Sequence, residues 1–206
     1  MAVNLVKGQK VNLVKESSAG LSKVRVGLGW DEAQPQSKGF LASLFAAKPA
    51  DIDCDASVIL CGANGKVVGS NVKDCCVYFG NLEHASGAIK HAGDNLTGGG
   101  EGDDEQITVD LARVPANVTK LVFVVNIYDA NVRKQHFGMI RNAFIRLVDM
   151  RTDREICRYN LTDDFSGMTG LVVGELDRSG GEWEFTAIGR GVQQASRLDA
   201  LINLYR

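Results

Sequence analysis

Thirteen consecutive residues, Gly93-Asp-Asn-Leu-Thr-Gly-Gly-Gly-Glu-Gly-Asp-Asp-Glu105, combine a pliable backbone with closely spaced carboxylates, the chemistry of a hard-cation site. From His91 to Ala112 the chain carries Asp94, Glu101, Asp103, Asp104, Glu105 and Asp110 but no lysine or arginine. Two carboxylates ~5 Å apart repel by about 3 kcal/mol at an effective dielectric near 20, so a turn that gathers them needs water, a cation or raised pKa values. Calcium answers that need directly, because it accepts roughly six to eight oxygens from carboxylates, amides and carbonyls. Gly98, Gly99, Gly100 and Gly102 let the backbone curl until its carbonyls point inward. Asn95 offers an amide oxygen, and Thr97 a hydroxyl or a carbonyl.

The loop fails as a helix-loop-helix calcium site. With Asp94 as the first position, Gly99 and Glu105 fall where that motif wants its glycine and its bidentate glutamate. Leu96 and Gly98, however, stand where oxygen ligands belong. The segment that follows, Ile107 to Leu111, alternates as a strand. Ligands must therefore come from elsewhere. Asp51-Ile-Asp-Cys-Asp55 places three aspartates on one face of a strand, and Gly27-Leu-Gly-Trp-Asp31 ends a strand on an aspartate. A sandwich whose loops gather at one end would bring Asp31, Asp53 and Asp55 to the Gly93–Glu105 loop.

The elements that must position these groups are mostly strands. Apolar residues recur with period two at Val3 and Leu5, Val11 and Leu13, Leu21 to Leu28, and Ile52 to Leu60. Val67 to Val72, Ile107 to Leu111, Ala143 to Leu147, Leu171 to Leu176 and Trp183 to Ala187 add further candidates. Leu121 to Ile127 is almost continuously apolar, as in a strand covered on both faces. Strands of this length between Gly, Asn and Asp turns predict an all-β fold, a β-sandwich of two mainly antiparallel sheets. Val192, Ala195, Leu198, Leu201 and Ile202 have helical spacing, which predicts a C-terminal helix over 192–205 packed on the sandwich. Phe40 to Lys48, between Pro35 and Pro49, reads as a loop with an apolar lip.

At 206 residues and 45% apolar composition, residues 1–206 are expected to form one domain with a real core. A formal net charge of −2 gives no footprint for nucleic acid. No apolar run approaches a signal peptide or a transmembrane span, so a cytoplasmic protein is expected, with membrane contact at most peripheral. Cys54, Cys61, Cys75, Cys76 and Cys157 lack metal-site spacing and are expected to be buried free thiols. Adjacent Cys75 and Cys76 should point to opposite faces of a strand. The sequons at Asn95, Asn117 and Asn160 carry no meaning without secretion. His84 and His91 read as surface residues.

The Gly93–Glu105 run and the Ile-Thr-Val-Asp-Leu that follows it resemble the signature of the TerD family of tellurium-resistance and stress-response proteins. The resemblance spans nearly the whole chain: Gly27-Leu-Gly-Trp-Asp31, Asp53-Cys-Asp-Ala-Ser57, Val125-Asn-Ile-Tyr128, Phe144-Ile-Arg-Leu-Val-Asp149 and Gly181-Glu-Trp-Glu-Phe185 fall in family order. The stretch from Pro35 to Pro49 is longer than the family's usual connection. The resemblance implies a β-sandwich that binds calcium, two ions close together, with no established enzymatic activity. It implies ligand roles for Asp31, Asp53, Asp55, Asp94, Asn95, Asp103, Asp104 and Glu105, and action through other stress-response proteins.

Two other chemistries compete. A divalent-metal-assisted hydrolase would use the same paired carboxylates, but His84, His91 and His136 have no ligand spacing and no nucleophile motif appears. A thiol-based sensor lacks a Cys-x-x-Cys pair.

Overall fold

A computed structural model describes residues 2–13, 21–32, 52–93, 102–178 and 180–206. Among these residues, twelve strands form two six-stranded sheets. The first sheet contains β1 (Val3–Leu5), β3 (Lys23–Glu32), β6 (Ile89–His91), β7 (Glu105–Asp110), β9 (Ile140–Asp149) and β10 (Arg154–Asn160), in the order β1-β10-β9-β3-β7-β6. The second contains β2 (Lys10–Asn12), β4 (Cys54–Cys61), β5 (Cys76–Val77), β8 (Lys120–Ile127), β11 (Gly170–Asp177) and β12 (Glu184–Val192), in the order β2-β12-β11-β8-β4-β5. Pairing is antiparallel throughout except between β1 and β10. The expected sandwich is therefore present.

The period-two pattern builds the core directly. On β3, Val24, Val26, Leu28 and Trp30 turn inward to meet Leu121, Phe123, Val125 and Ile127 of β8. A fully buried side chain of this size contributes roughly 1.5–3 kcal/mol. The other face of β8 carries Val122 and Val124, which join Ile59, Cys61, Cys75 and Cys76 in a second cluster outside the second sheet. A short helix, α3 (Leu198–Asn203), covers that cluster with Leu201 and Ile202. Burial on both faces explains why the Leu121–Ile127 run shows no alternation.

Three local expectations are corrected. Val192 ends β12 opposite Gly170, so the C-terminal helix is confined to Leu198–Asn203. The intervening turn is fixed by Thr169, whose hydroxyl donates to the Gln193 carbonyl at 2.8 Å and accepts from the Ala195 amide at 2.9 Å. Val67 to Val72 is not a strand: Val67 makes one bridge to Cys61, and Asn71 then caps a one-turn helix, α1 (Val72–Cys75), through a reciprocal bond with Asp74. That helix changes the geometry at Cys75 and Cys76, which share one apolar cluster instead of facing apart. All five cysteines are buried free thiols, as expected. Burial pushes the Cys61 thiol up to about 12 and lifts Cys75 and Cys76 as well. As thiols rather than thiolates, they are poor nucleophiles at neutral pH. The apolar-lip segment 40–48 lies outside the described residues.

Candidate metal site at one end of the sandwich

The strand register sets where the acidic residues go. β3, β6 and β8 end, and β4, β7 and β9 begin, at the same end of the sandwich: Leu28 faces Glu105, Glu32 faces Ile140 and Ile127 faces Cys54. Asp31, Asp53, Asp103, Asp104 and Glu105 all lie at this end. Their side chains then diverge, and each divergence has a local cause.

Asp104 continues the β3–β7 ladder beyond its last pair. Its amide donates to the Leu28 carbonyl at 2.8 Å, and its carboxylate accepts the Trp30 amide at 2.7 Å. Burial raises its pKa, the Trp30 bond opposes the rise, and the nearby Asp31 and Asp103 charges add to it. Asp31 accepts from the Asn142 side-chain amide at 2.7 Å. Both carboxylates line an open cleft of about 970 Å³, with Trp30, Gly102, Asn142 and Phe144 on its walls.

Asp103 turns to the outer face of the first sheet. There it accepts the Arg146 guanidinium at 2.6 Å and the Gln106 amide at 3.2 Å, and its side chain is 0% exposed. Arg146 also reaches Glu155 at 3.1 Å. Two glycines make room for this crossing. A Cβ on Gly27 would overlap the Asp103 carboxylate, and one on Gly29 would collide with the Phe144 ring and the Gly102 carbonyl. The glycines of Gly27-Leu-Gly-Trp-Asp31 therefore act by close approach.

Glu105 points the other way, into the space between the sheets. Only 2% exposed, it accepts the Ala56 amide of β4 and so ties one sheet to the other. His91 shares that junction. Its Nδ1 accepts the Gly93 amide at 3.1 Å, which leaves the proton on Nε2 to be donated to the Ala56 carbonyl at 3.1 Å. The expectation that His91 is a surface residue is thus corrected: it is 5% exposed and bridges the sheets. The Ile89-Lys-His91 triplet does carry an alternating signal, but it is too short to be read alone.

The two aspartates before and on β4 face outward from the second sheet. Asp53 lies 3.6 Å from Arg133 of a second short helix, α2 (Ala130–Arg133). Asp55, 5% exposed, accepts the Asn126 side-chain amide at 3.2 Å and sits beneath α3. The structure therefore brings Asp31 and Asp104 together in one cleft, while Asp55, Asp103 and Glu105 face three different directions. Asp94 and Asn95 lie outside the described residues. Among the described residues, no group of three or more His, Cys, Asp and Glu side chains is arranged to hold a metal ion. The carboxylate and amide oxygens that do meet at the cleft are hard donors, suited to calcium or magnesium more than to softer metals.

The family model for the TerD domain matches residues 1–205. The chain belongs to the TerD family. It is 51% identical to "Stress response protein SCP2" of Bacillus subtilis (strain 168) over 205 residues, which cover the whole of both chains. It is 42% identical over 191 residues to "Tellurium resistance protein TerD" of Serratia marcescens, covering 93% of this chain and 91% of that one. A solved homologue of telluride resistance protein (TerD) from Streptomyces coelicolor A3(2) superposes with a TM-score of 0.58 at 24% identity. That match covers 85% of this chain and 92% of the other, and it bears on the fold alone. The TerD family thus accounts for the sandwich and for the stress-response and tellurium-resistance names of the relatives. Among the described residues no helix is long and apolar enough to cross a membrane.

Proposed function

We propose that this TerD-family chain is a non-enzymatic calcium-binding protein of the stress response and tellurite resistance, acting in the cytoplasm through protein partners. The observation that carries the reading is the Asp31–Asp104 cleft, where a partly buried carboxylate carries a raised pKa beside two other carboxylates. A divalent cation relieves that repulsion by accepting oxygens from several carboxylates at once. Asp31 and Asp104 would hold one ion from the cleft side. Asp53 and the loop residues Asp94 and Asn95 are the donors assigned to a second. Asp103 and Glu105 hold the C-terminal end of the loop in place, Asp103 through Arg146 and Glu105 through Ala56.

The histidines favour a binding role over catalysis. His84 pairs with Ser86 at 2.8 Å, His136 accepts the Gly138 amide at 3.1 Å, and His91 is committed to backbone on both ring nitrogens. Each ring thus supports a turn or a strand junction.

Thermal melting tests the reading. An ion that binds only the folded state stabilises it by RT ln(1 + [L]/Kd), or about 2.7 kcal/mol at a hundredfold excess over Kd. For a chain of this size that raises Tm by roughly 5–11 °C. Calcium at millimolar concentration should produce such a rise, and magnesium at the same concentration a much smaller one. Equal or absent effects of the two ions would reject calcium as the ligand.

A further inference from the structure

The cleft that holds Asp31 and Asp104 carries donors as well as carboxylates. Arg141 stands directly opposite Asp31 in the β3–β9 pairing and is exposed on the cleft wall. Arg158, stacked over the Phe144 ring at 3.9 Å, adds a second guanidinium. The cleft also reaches between the sheets, where Ile140, Phe165 and Leu171 of the core line it. Trp30 belongs both to the cleft wall and to that inner layer, and it is 6% exposed. Its backbone amide is taken by Asp104, but its buried indole Nε1 has no hydrogen-bond partner among the described residues. A buried N–H without an acceptor is costly, and an acceptor on a ligand removes that cost. At about 970 Å³ the cleft stands at the upper end of the range for small-molecule sites.

Charge decides how an acceptor can enter. Asp163 and Asp164 also line the cleft, so carboxylates outnumber guanidinium groups there and repel a bare anion. A calcium ion at Asp31 and Asp104 offsets this, because a bound cation is the largest local charge. Two carboxylates offer two oxygens each, whereas calcium takes roughly six to eight. We infer that the cleft binds phosphate, free or as the ester of a small molecule, across that calcium ion. The inference rests on the calcium reading of the same site. Phosphate oxygens fill open positions on the ion and pair with the Arg141 guanidinium, whose planar fork suits them. One ligand oxygen accepts the Trp30 indole proton. The apolar body of an ester lies against Phe165 and Leu171.

The test follows the indole N–H signals of the full ¹⁵N-labelled chain by NMR. The chain has two tryptophans, and Trp183 already donates its indole proton to the Leu111 carbonyl at 3.3 Å, so it serves as an internal control. In calcium-saturated buffer, phenyl phosphate should shift the Trp30 indole signal saturably and leave that of Trp183 in place. Phenol should bind at least tenfold more weakly, and chelation of calcium should weaken phenyl phosphate by at least tenfold. A stronger response to phenyl phosphate than to inorganic phosphate assigns the site to esters, and equal responses assign it to the free anion. Arg141→Gln alters an exposed side chain; it should weaken phenyl phosphate about fivefold without weakening calcium, measured by calorimetry. Bound calcium with no Trp30 response to either phosphate would overturn the inference and leave the calcium reading intact. Equal binding of phenol, undiminished binding after chelation, or undiminished binding by Arg141→Gln would do the same. Calorimetry that shows no bound calcium would overturn both.

Discussion

Glu105→Ala should lower the stability of the calcium-free protein by about 3 kcal/mol, because it strands the buried Ala56 amide and opens a void between the sheets. The corresponding fall in Tm is roughly 6–12 °C, measured in the presence of a chelator. Glu105 is 2% exposed and is the side chain through which β7 holds the start of β4. Its neighbour His91 donates to the carbonyl of the same Ala56 residue, so both backbone groups of that residue are engaged from the opposite sheet. Glu105→Gln keeps an acceptor for the amide and should stay within about 1 kcal/mol of the parent. If alanine and glutamine cost the same, the bond to Ala56 is not what holds this end together.

Gly29→Ala is the second large effect, and it acts on binding as well as on stability. The added methyl meets the Phe144 ring and would lie 2.8 Å from the Gly102 carbonyl oxygen. Phe144 cannot yield freely, since the Arg158 guanidinium stacks over it at 3.9 Å. The strain should cost about 2–3 kcal/mol, in the range of overpacked sites. Because Gly102 leads directly into Asp103 and Asp104, displacement there should weaken calcium by at least tenfold. Denaturant melts and a calcium titration of the same variant measure the two effects. A folded variant with unchanged calcium affinity would separate the Gly29 contact from the site.

These effects depend on a division of labour that the sequence shows only in part. The sandwich was legible because Val24 to Trp30, Ile52 to Leu60 and Leu171 to Leu176 keep a strict alternation or a continuous apolar run. β10 was not, because a bulge between Glu155 and Cys157 buries the adjacent Ile156 and Cys157 and breaks the period. The helical spacing of Val192, Ala195, Leu198, Leu201 and Ile202 is real as a burial pattern. All five face one cluster, but strand, turn and helix contribute to it in succession.

Clustering of acidic residues in sequence pointed to one end of the sandwich, where Asp31, Asp53, Asp103, Asp104 and Glu105 do lie. It could not reveal that Asp103, Asp104 and Glu105 point in three directions. Asp103 and Asp104 lie before the first residue of β7, where alternation no longer governs them, and Arg146, opposite Gly27 on β9, supplies the partner that draws Asp103 outward. That partner lies 43 residues further along the chain and has no local signature. Asp55 differs, because alternation with Cys54 and Ala56 on β4 turns it outward, and only its partner Asn126 on the adjacent strand lies beyond local reading.

The central claim rests on Asp104, and isothermal titration of calcium into the parent and Asp104→Asn proteins tests it most directly. Asparagine can still accept the Trp30 amide, so the local bond survives while the charge is removed. The raised pKa means that the fold disfavours the charged carboxylate; its destabilising contribution is present above the folded pKa and relieved as pH falls through it. In the absence of calcium at neutral pH, Asp104→Asn should therefore be at least as stable as the parent. The account predicts two calcium ions bound by the parent, weak magnesium binding, and loss of at least one calcium site in a fully folded Asp104→Asn. Identical calcium isotherms for the two proteins would contradict it.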